Sequence, residues 1–361
     1  MTASDTNRTI DAIWRIESAK IIAGVARMVR DVGLAEELAQ DALVTALERW
    51  PKSGVPDNPG AWLMAAAKNR ALDHLRRRKL LERKHEELGR ELEIQQEMAV
   101  ADFDTALDDD IGDDLLRLIF TACHPVLSTD ARVTLTLRLL GGLTTDEIAR
   151  AFLVSEPTIA QRIVRAKRTL AEARVLFEVP PREELPARLS SVLEVLYLVF
   201  NEGYAATAGD DWMRPGLCEE ALRLGRILCE LVSKEPEAHG LVALMEIQAS
   251  RLRARAGALG KPILLLDQNR ACWDQLLIRR GFAALERAEA LGGTLGPYAL
   301  QAAIAACHAR ARTAAETDWT RIVAIYDALA QLAPSPSWSS IARSRSRWHS
   351  VRQWVSSSSM R

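Results

Sequence analysis

The chain has 361 residues, a length that predicts two or three domains of ordinary size. Hydrophobic residues make up 48% of it and aromatic residues only 5%, a composition that supports a sizeable core and favours helices over strands. The mean hydropathy is −0.06, and no apolar run reaches the roughly 18 residues that a membrane span needs. Because no hydrophobic signal segment follows Met1, the cytoplasm is the expected location.

The cysteines and histidines give no pattern of metal binding. The five cysteines form no Cys-x-x-Cys pair, and the six histidines are scattered along the chain. Such spacing suits neither a disulfide framework nor a zinc site. We therefore expect no metal and no cofactor, and we expect reduced thiols buried on helices. The cysteines concerned are Cys123, Cys218, Cys229, Cys272 and Cys307.

The first third of the chain predicts three helices and an acidic connector. Residues 10–50 carry apolar side chains at helical spacing and predict two helices broken near Gly33. Three prolines and two glycines in residues 51–60 predict a loop. A third helix is predicted over residues 61–81, apolar at first and strongly basic later. Residues 91–114 then contain acidic side chains and no Lys or Arg, which predicts a mobile linker.

Residues 114–140 predict two helices split at His124-Pro125, since a residue before proline disfavours helical geometry. A helix-turn-helix follows over residues 143–168. Thr144 is predicted to cap its first helix in a capping box with Glu147. Ser155 is predicted to cap its second helix, which has a proline in its first turn.

The second helix of this motif has an apolar face and a basic one. The apolar positions recur at helical spacing at Ile159, Ile163, Ala166 and Leu170. A basic helix of this kind fits the DNA major groove, with early residues near base edges and later cations near phosphates. The alternative is a surface hairpin with a solvated basic face.

The C-terminal half predicts further helices. Helical segments interrupted by Gly and Pro extend over residues 185–334, and no alternating strand pattern occurs, so the fold class is predicted to be all-α. Residues 337–361 lack helical periodicity and combine three tryptophans with Ser and Arg. Plausible codons for these residues, when they are read one nucleotide out of frame, encode a sequence that resembles a helix. We hypothesise a frameshift and predict a disordered tail.

Three quoted segments carry a family resemblance. Residues 34–79, with "LAEELAQDALVTALERW" and "NPGAWLMAAAKNRALDHLRRRK", resemble domain two of sigma-70 factors of the extracytoplasmic-function group. Residues 114–174, with "EIARAFLVSEPTIAQRIVRAKRTL", resemble their domain four. The tract with "YLVFNEGY" and "PYALQAAIAACHA" resembles the tetratricopeptide-like C-terminal extension of one subgroup.

The resemblance implies a division of the chain into five parts. A helical-bundle domain two occupies residues 1–84 and an acidic linker residues 85–112. A helix-turn-helix domain four occupies residues 113–178, and a tetratricopeptide-like helical extension residues 185–336. The atypical tail is residues 337–361.

The resemblance also implies which residues bind the partners. The first set binds core RNA polymerase, at the β′ clamp, and comprises Glu36, Glu37, Leu38, Gln40 and Asp41. The second set contacts the −10 promoter element and comprises Asp57, Asn58, Asn69, Arg70, Asp73, Arg76 and Arg77. The third set contacts the −35 element and comprises Thr144, Thr145, Thr158, Gln161, Arg162, Arg165, Lys167 and Arg168. The β flap of the polymerase is a further implied partner. An ordinary core helix and a solvated basic helix are the alternatives for the first two sets.

These observations predict a promoter-specificity subunit without enzymatic activity or membrane contact. The extension is predicted to regulate it through an unknown partner, the alternative being a stabilising appendage. One rival is a stand-alone helix-turn-helix regulator with a helical sensor domain. Another is an enzyme with a pocket at Asn201, Glu202 and Tyr204, but no nucleophile–base set supports catalysis.

Overall fold

The protein is described by a computed structural model that covers residues 3–89, 111–205, 213–257, 262–292 and 295–332. These residues contain thirteen α-helices and no β-strand, which confirms the predicted all-α class. The chain divides into two compact units, 1–195 and 196–361. The division falls inside one helix, so the predicted domain limits stay predictions. The hypothesised frameshift tail and most of the acidic linker lie outside the described residues.

The N-terminal unit is built around its first helix. Helix α1 packs against α2, α3 and α4, and further along the chain α7 packs against α5 and α6. The largest fully buried side chains of the N-terminal unit include Trp50, Phe120 and Leu135. The helices of this unit are α1 (Ala3–Val29), α2 (Val32–Ser53), α3 (Pro59–Gly89), α4 (Ile111–Ala122), α5 (Thr129–Leu139), α6 (Thr145–Phe152), α7 (Glu156–Glu172) and the first half of α8 (Leu185–Tyr204).

Two predicted boundaries in this unit need correction. The break between α1 and α2 lies at Arg30 and Asp31, because the Asp31 side chain accepts from the Leu34 N–H at 3.0 Å and caps α2. Helix α2 also continues through Pro51, which was predicted to lie in a loop. The last turn is held by buried Trp50, whose ring meets that of Trp62 edge-on at 5.3 Å.

The helix-turn-helix forms as predicted, with one local difference. Thr144 and Glu147 make the expected capping box at α6. Ser155 is the N-cap residue of α7, but its hydroxyl makes no capping bond and lies 2.8 Å from the Thr158 hydroxyl. Leu153 closes α6 with φ of +51°, a left-handed conformation that costs a leucine more than a glycine.

This difference predicts unequal effects for two hydroxyl deletions. Thr144→Ala is expected to lower the free energy of unfolding of the N-terminal unit by about 1 kcal/mol, because the Glu147 N–H loses the side-chain hydroxyl that caps α6. Ser155→Ala is expected to lower the free energy of unfolding by clearly less, since no side chain caps α7 in the unmodified protein. Urea titration of both variants checks the order, and equal losses would contradict it.

The C-terminal unit is built around α10, which packs against α9, α11 and α12, while α13 packs on α12. Its central cluster contains small and branched side chains, among them Ala243, Ile247, Leu285 and Ala302. Its helices are the second half of α8, α9 (Pro215–Leu231), α10 (Pro236–Ala249), α11 (Gln275–Ala290), α12 (Pro297–Arg310) and α13 (Trp319–Leu332). Two short 3₁₀-helices, Leu252–Ala254 and Arg270–Cys272, connect α10 to α11.

All five cysteines are free thiols, as predicted. The prediction that they are buried is correct for Cys123, Cys218 and Cys307, and wrong for Cys272, which is exposed, while Cys229 is half-buried. Burial raises the pKa of the Cys123 thiol to about 11 and that of Cys218 to about 12. Both therefore stay protonated near neutral pH and behave as small apolar side chains.

Candidate nucleic-acid interface

Helix α7 presents an exposed polar stripe opposite a buried one. The four predicted apolar positions, Ile159, Ile163, Ala166 and Leu170, are all buried. The residues Thr158, Gln161, Arg165 and Arg168 are all exposed and recur at helical spacing on the other side. This stripe combines hydroxyl, amide and guanidinium groups, which pair with base edges and phosphates in a major groove.

The other predicted residues of this set, and Arg168 of the exposed stripe, have structural partners. Arg162 is half-buried and lies 3.3 Å from the Asp130 carboxylate of α5. Thr144 caps α6, and Thr145 is the first residue of that helix. Lys167 lies 2.5 Å from the Glu36 carboxylate of α2. Exposed Arg168 donates to Glu172 at 2.6 Å, a solvent-screened contact that leaves it accessible.

Helix α3 carries a second polar surface. Asn69, Asp73, Arg76 and Arg77 are exposed and fall on one face, as predicted. Arg70 does not belong to this face, because it is half-buried and turned toward α2. Its guanidinium donates to the Thr45 hydroxyl at 2.6 Å and lies 3.5 Å from Asp41.

The loop before α3 places Asp57 and Asn58 at the surface. The Asn58 side-chain oxygen accepts from the Ala61 N–H at 3.1 Å, so this residue also caps the start of α3. Beside it, an open cleft of about 530 Å³ lies between α1 and α3. Its lining combines apolar side chains such as Met64 with cations such as Lys68 and the carboxylates of Glu17 and Asp114, so it offers both apolar contact and hydrogen-bonding groups.

The predicted polymerase-docking residues of α2 divide into two groups. Glu37 and Asp41 are exposed and Gln40 is half-buried. Glu36 and Leu38 are buried, at 2% and 8% exposure, so the structure places both in the interior rather than on a docking surface. A helix that faces solvent on one side only cannot present all five residues to a partner.

The burial of Glu36 has a specific cause that sequence reasoning missed. Its carboxylate lies 2.6 Å from Arg138 of α5 and 2.5 Å from Lys167 of α7, and Gln40 donates to it. These two cations lie more than a hundred residues further along the chain. Arg15 of α1 similarly pairs with Glu147 of α6. Within the N-terminal unit, the helix-turn-helix thus packs on α1 and α2 through ion pairs.

Among the described residues, no helix is both long and apolar enough to cross a membrane. No group of three or more His, Cys, Asp or Glu side chains in the same part of the chain could hold a metal ion.

Family models match three segments of the chain. Sigma-70 region 2 matches residues 17–80, and sigma-70 region 4 matches residues 117–170. A family of unknown function, DUF6596, matches residues 188–289. The first two segments contain the two polar surfaces described above, and the third covers most of α8 through α11.

Relatives of known name match less than half of the chain. A protein named ECF RNA polymerase sigma factor SigK, from Mycobacterium ulcerans, is 31% identical over 40% of this chain and 75% of its own. A probable ECF RNA polymerase sigma factor, SigI, from Mycobacterium tuberculosis is 28% identical over 48% of this chain. The match spans 58% of SigI.

An uncharacterised protein of Rhizobium meliloti is 42% identical over 86% of this chain and 73% of its own length. That similarity therefore extends into the C-terminal unit. No solved structure matches the chain.

Proposed function

The chain belongs to the extracytoplasmic-function group of the sigma-70 family, and from this premise we propose how its surfaces divide the work of promoter recognition. It is an RNA polymerase sigma factor, a subunit that directs promoter-specific initiation of transcription. The observation that carries the proposal is the pair of exposed polar helix faces, on α3 and α7, within segments that match regions 2 and 4. The alternative, a stand-alone helix-turn-helix regulator, would explain only the polar face of α7.

The exposed stripe of α7 is proposed to read the −35 element in duplex DNA. Thr158 and Gln161 lie in the first turns of α7, where a recognition helix contacts base edges, and Arg165 reaches the same groove one turn later. Arg168 lies further along and is placed to contact phosphates. Arg162 and Lys167 contribute positive charge from partly buried positions, whereas Thr144 and Thr145 act first as the start of α6.

The surface of α3 is proposed to bind the −10 element as single-stranded DNA. Asn69 and Asp73 offer hydrogen-bonding groups for bases, and Arg76 and Arg77 offer charge for the backbone. Asp57, Asn58 and the cleft beside them are proposed to hold an unstacked base. Arg70 supports this surface by fixing α3 to α2.

Core polymerase is proposed to dock on the outer face of α2. Glu37 and Asp41 present carboxylates to the basic helical partner that the family uses on the β′ clamp, and Gln40 lies beside them. Glu36 and Leu38 support that face from within. Region 4 is proposed to reach the β flap, and the whole protein to work in the cytoplasm without enzymatic activity of its own.

The C-terminal unit is proposed to regulate initiation through a partner that its helices bind. Two observations support this role: it forms a compact unit of its own, and helix α8 extends from one unit into the other. A tetratricopeptide-like stack of antiparallel helices offers a surface for such a partner.

Run-off transcription with core RNA polymerase over a promoter library tests the proposal. The double variant Gln161→Ala, Arg165→Ala is expected to lose roughly tenfold or more of its −35-dependent transcription, since each good base contact is worth about 1–3 kcal/mol. Arg182→Ala, an exposed arginine beyond α7, serves as the control and is expected to behave like the unmodified protein.

The same assay addresses the C-terminal unit with a chain that ends after α8. A regulatory extension changes the transcription per polymerase-bound sigma molecule, whereas a stabilising appendage changes only the folded fraction. Failure of the full chain to bind core polymerase or to start transcription would refute the proposed function.

A further inference from the structure

We propose that the C-terminal unit contains a binding site for a small oxyanion, a phosphate or carboxylate group, formed by Arg251, Arg255 and Arg270. The aromatic rings of Tyr204 and Trp273 form its walls. The site lies where the two short 3₁₀-helices follow α10, and it is separate from both surfaces proposed for promoter DNA. It therefore does not depend on the proposed function.

Three guanidinium groups lie close to the aromatic rings of Tyr204 and Trp273. Arg255 lies over the Tyr204 ring, with its guanidinium carbon 3.5 Å from the ring centroid. Arg251 lies between the two rings, 5.9 Å from Tyr204 and 5.8 Å from Trp273. Arg270 lies 5.1 Å from the centroid of the Trp273 ring. Arg251 is the innermost of the three, at 7% exposure.

The positive charge of Arg251 has no carboxylate beside it in the described part of the chain. Burial lowers the pKa of Arg251, and the nearby Tyr204 acts in the opposite direction. Burial, together with repulsion from Arg251, also lowers the pKa of Arg255 and of Arg270. Glu316 opposes this effect at Arg270. Buried like charges are costly unless an anion or a dense set of hydrogen bonds compensates them.

Hydrogen bonds to neutral groups satisfy part of the cluster. Arg270 donates to the His308 and Ala311 carbonyl oxygens at 2.6 and 2.8 Å. Arg255 donates to the Tyr204 carbonyl, and Arg251 donates to the Gln248 amide oxygen at 2.9 Å. The acceptors in these four contacts are neutral groups, and they hold the guanidinium groups in place.

Several buried polar atoms in and beside this cluster have no hydrogen-bond partner among the described residues. They include Nε of Arg251, Nε1 of Trp273 and Nδ1 of His308. Burial, with Arg251 and Arg270 nearby, lowers the pKa of His308 to about 4, so this ring is neutral near pH 7. Such atoms are rarely left unpaired in folded proteins. The arginine and tryptophan groups can only donate, so the missing partner is an acceptor, and the surrounding charge makes it an anion.

Isothermal titration calorimetry of the full chain with inorganic phosphate, at constant ionic strength and near pH 7, tests the proposal. Saturable binding to one site is expected, together with a phosphate-dependent rise in the melting temperature that chloride does not give. Titration with acetate distinguishes a carboxylate site from a phosphate site, and saturable binding of either anion supports the proposal.

Arg251→Met is expected to weaken that binding by about tenfold or more, because it removes the innermost charge-assisted donor. Arg253→Met is the matched control: it alters an exposed arginine of the same short helix and is expected to bind like the unmodified chain. Trp273→Phe keeps the ring and removes one donor, so it tests the site if Arg251→Met fails to fold. The double variant Arg165→Ala, Arg168→Ala removes exposed cations of α7 and is expected to retain the phosphate response.

The proposal is overturned if neither anion binds saturably. It is also overturned if Trp273→Phe, or a folded Arg251→Met, binds as tightly as the Arg253→Met control. The cluster would then be structural, held by its contacts with aromatic rings and carbonyl oxygens and by the nearby Glu316.

Discussion

Gly240→Ala is expected to destabilise the C-terminal unit by about 3 kcal/mol, in line with the cost of inserting a methyl group into a closely packed core. A Cβ atom at Gly240 in α10 would lie 2.7 Å from the backbone nitrogen and 2.8 Å from Cα of Ala299 in α12. The obstacle is backbone rather than a flexible side chain, so relief requires α10 and α12 to separate. Separation would open the cluster that contains Ala243 and Ala302.

Gly216→Ala is the matched control for this variant. Gly216 is the second residue of α9, and a Cβ atom there would meet nothing within 4 Å. Alanine is therefore expected to stabilise α9, by up to about 1 kcal/mol, through its higher helix propensity. Amide hydrogen exchange in α10 reports the stability of the unit directly, because the chain has two units and its unfolding need not be two-state. Equal protection of α10 in both variants would show that the close approach does not limit stability.

The local features of the helix-turn-helix could be predicted because they depend on residues close together in sequence. Thr144 and Glu147 are three positions apart, and the apolar stripe from Ile159 to Leu170 follows the helical period. The same locality explains the error at Ser155. Its hydroxyl can form a hydrogen bond with the α7 backbone or with the neighbouring Thr158 hydroxyl, and a sequence pattern does not distinguish these two partners.

The candidate site was predicted less completely, since its limits depend on contacts between distant segments. Acidic and apolar residues interspersed along α2 indicated an amphipathic helix but not which acidic residue would face inward. The four alanines on its buried side, Ala35, Ala39, Ala42 and Ala46, were a signal of close packing. Glu36 lies next to that stripe, but the cations that pair with it come from α5 and α7.

Glu36→Ala tests whether this ion pair holds the N-terminal unit together. Removing the carboxylate leaves the mostly buried Arg138 and Lys167 without their shared partner, so the expected loss of unfolding free energy is about 3–5 kcal/mol. Glu37→Ala is the matched control on the next residue. Glu37 is exposed, so its removal is expected to change stability by less than about 0.5 kcal/mol.

The two variants also separate packing from polymerase docking. Glu37→Ala is expected to weaken binding to core polymerase while the melting temperature stays unchanged, because an exposed carboxylate on α2 acts on the partner alone. Glu36→Ala is expected to lower the melting temperature first. A double-mutant cycle with Lys167→Met measures how much of that loss belongs to the contact between α2 and α7, since residues that touch do not act additively. A coupling energy near zero would mean that Glu36 stabilises α2 and α5 without fixing the helix-turn-helix. A large one would make this contact the point where regions 2 and 4 are held together.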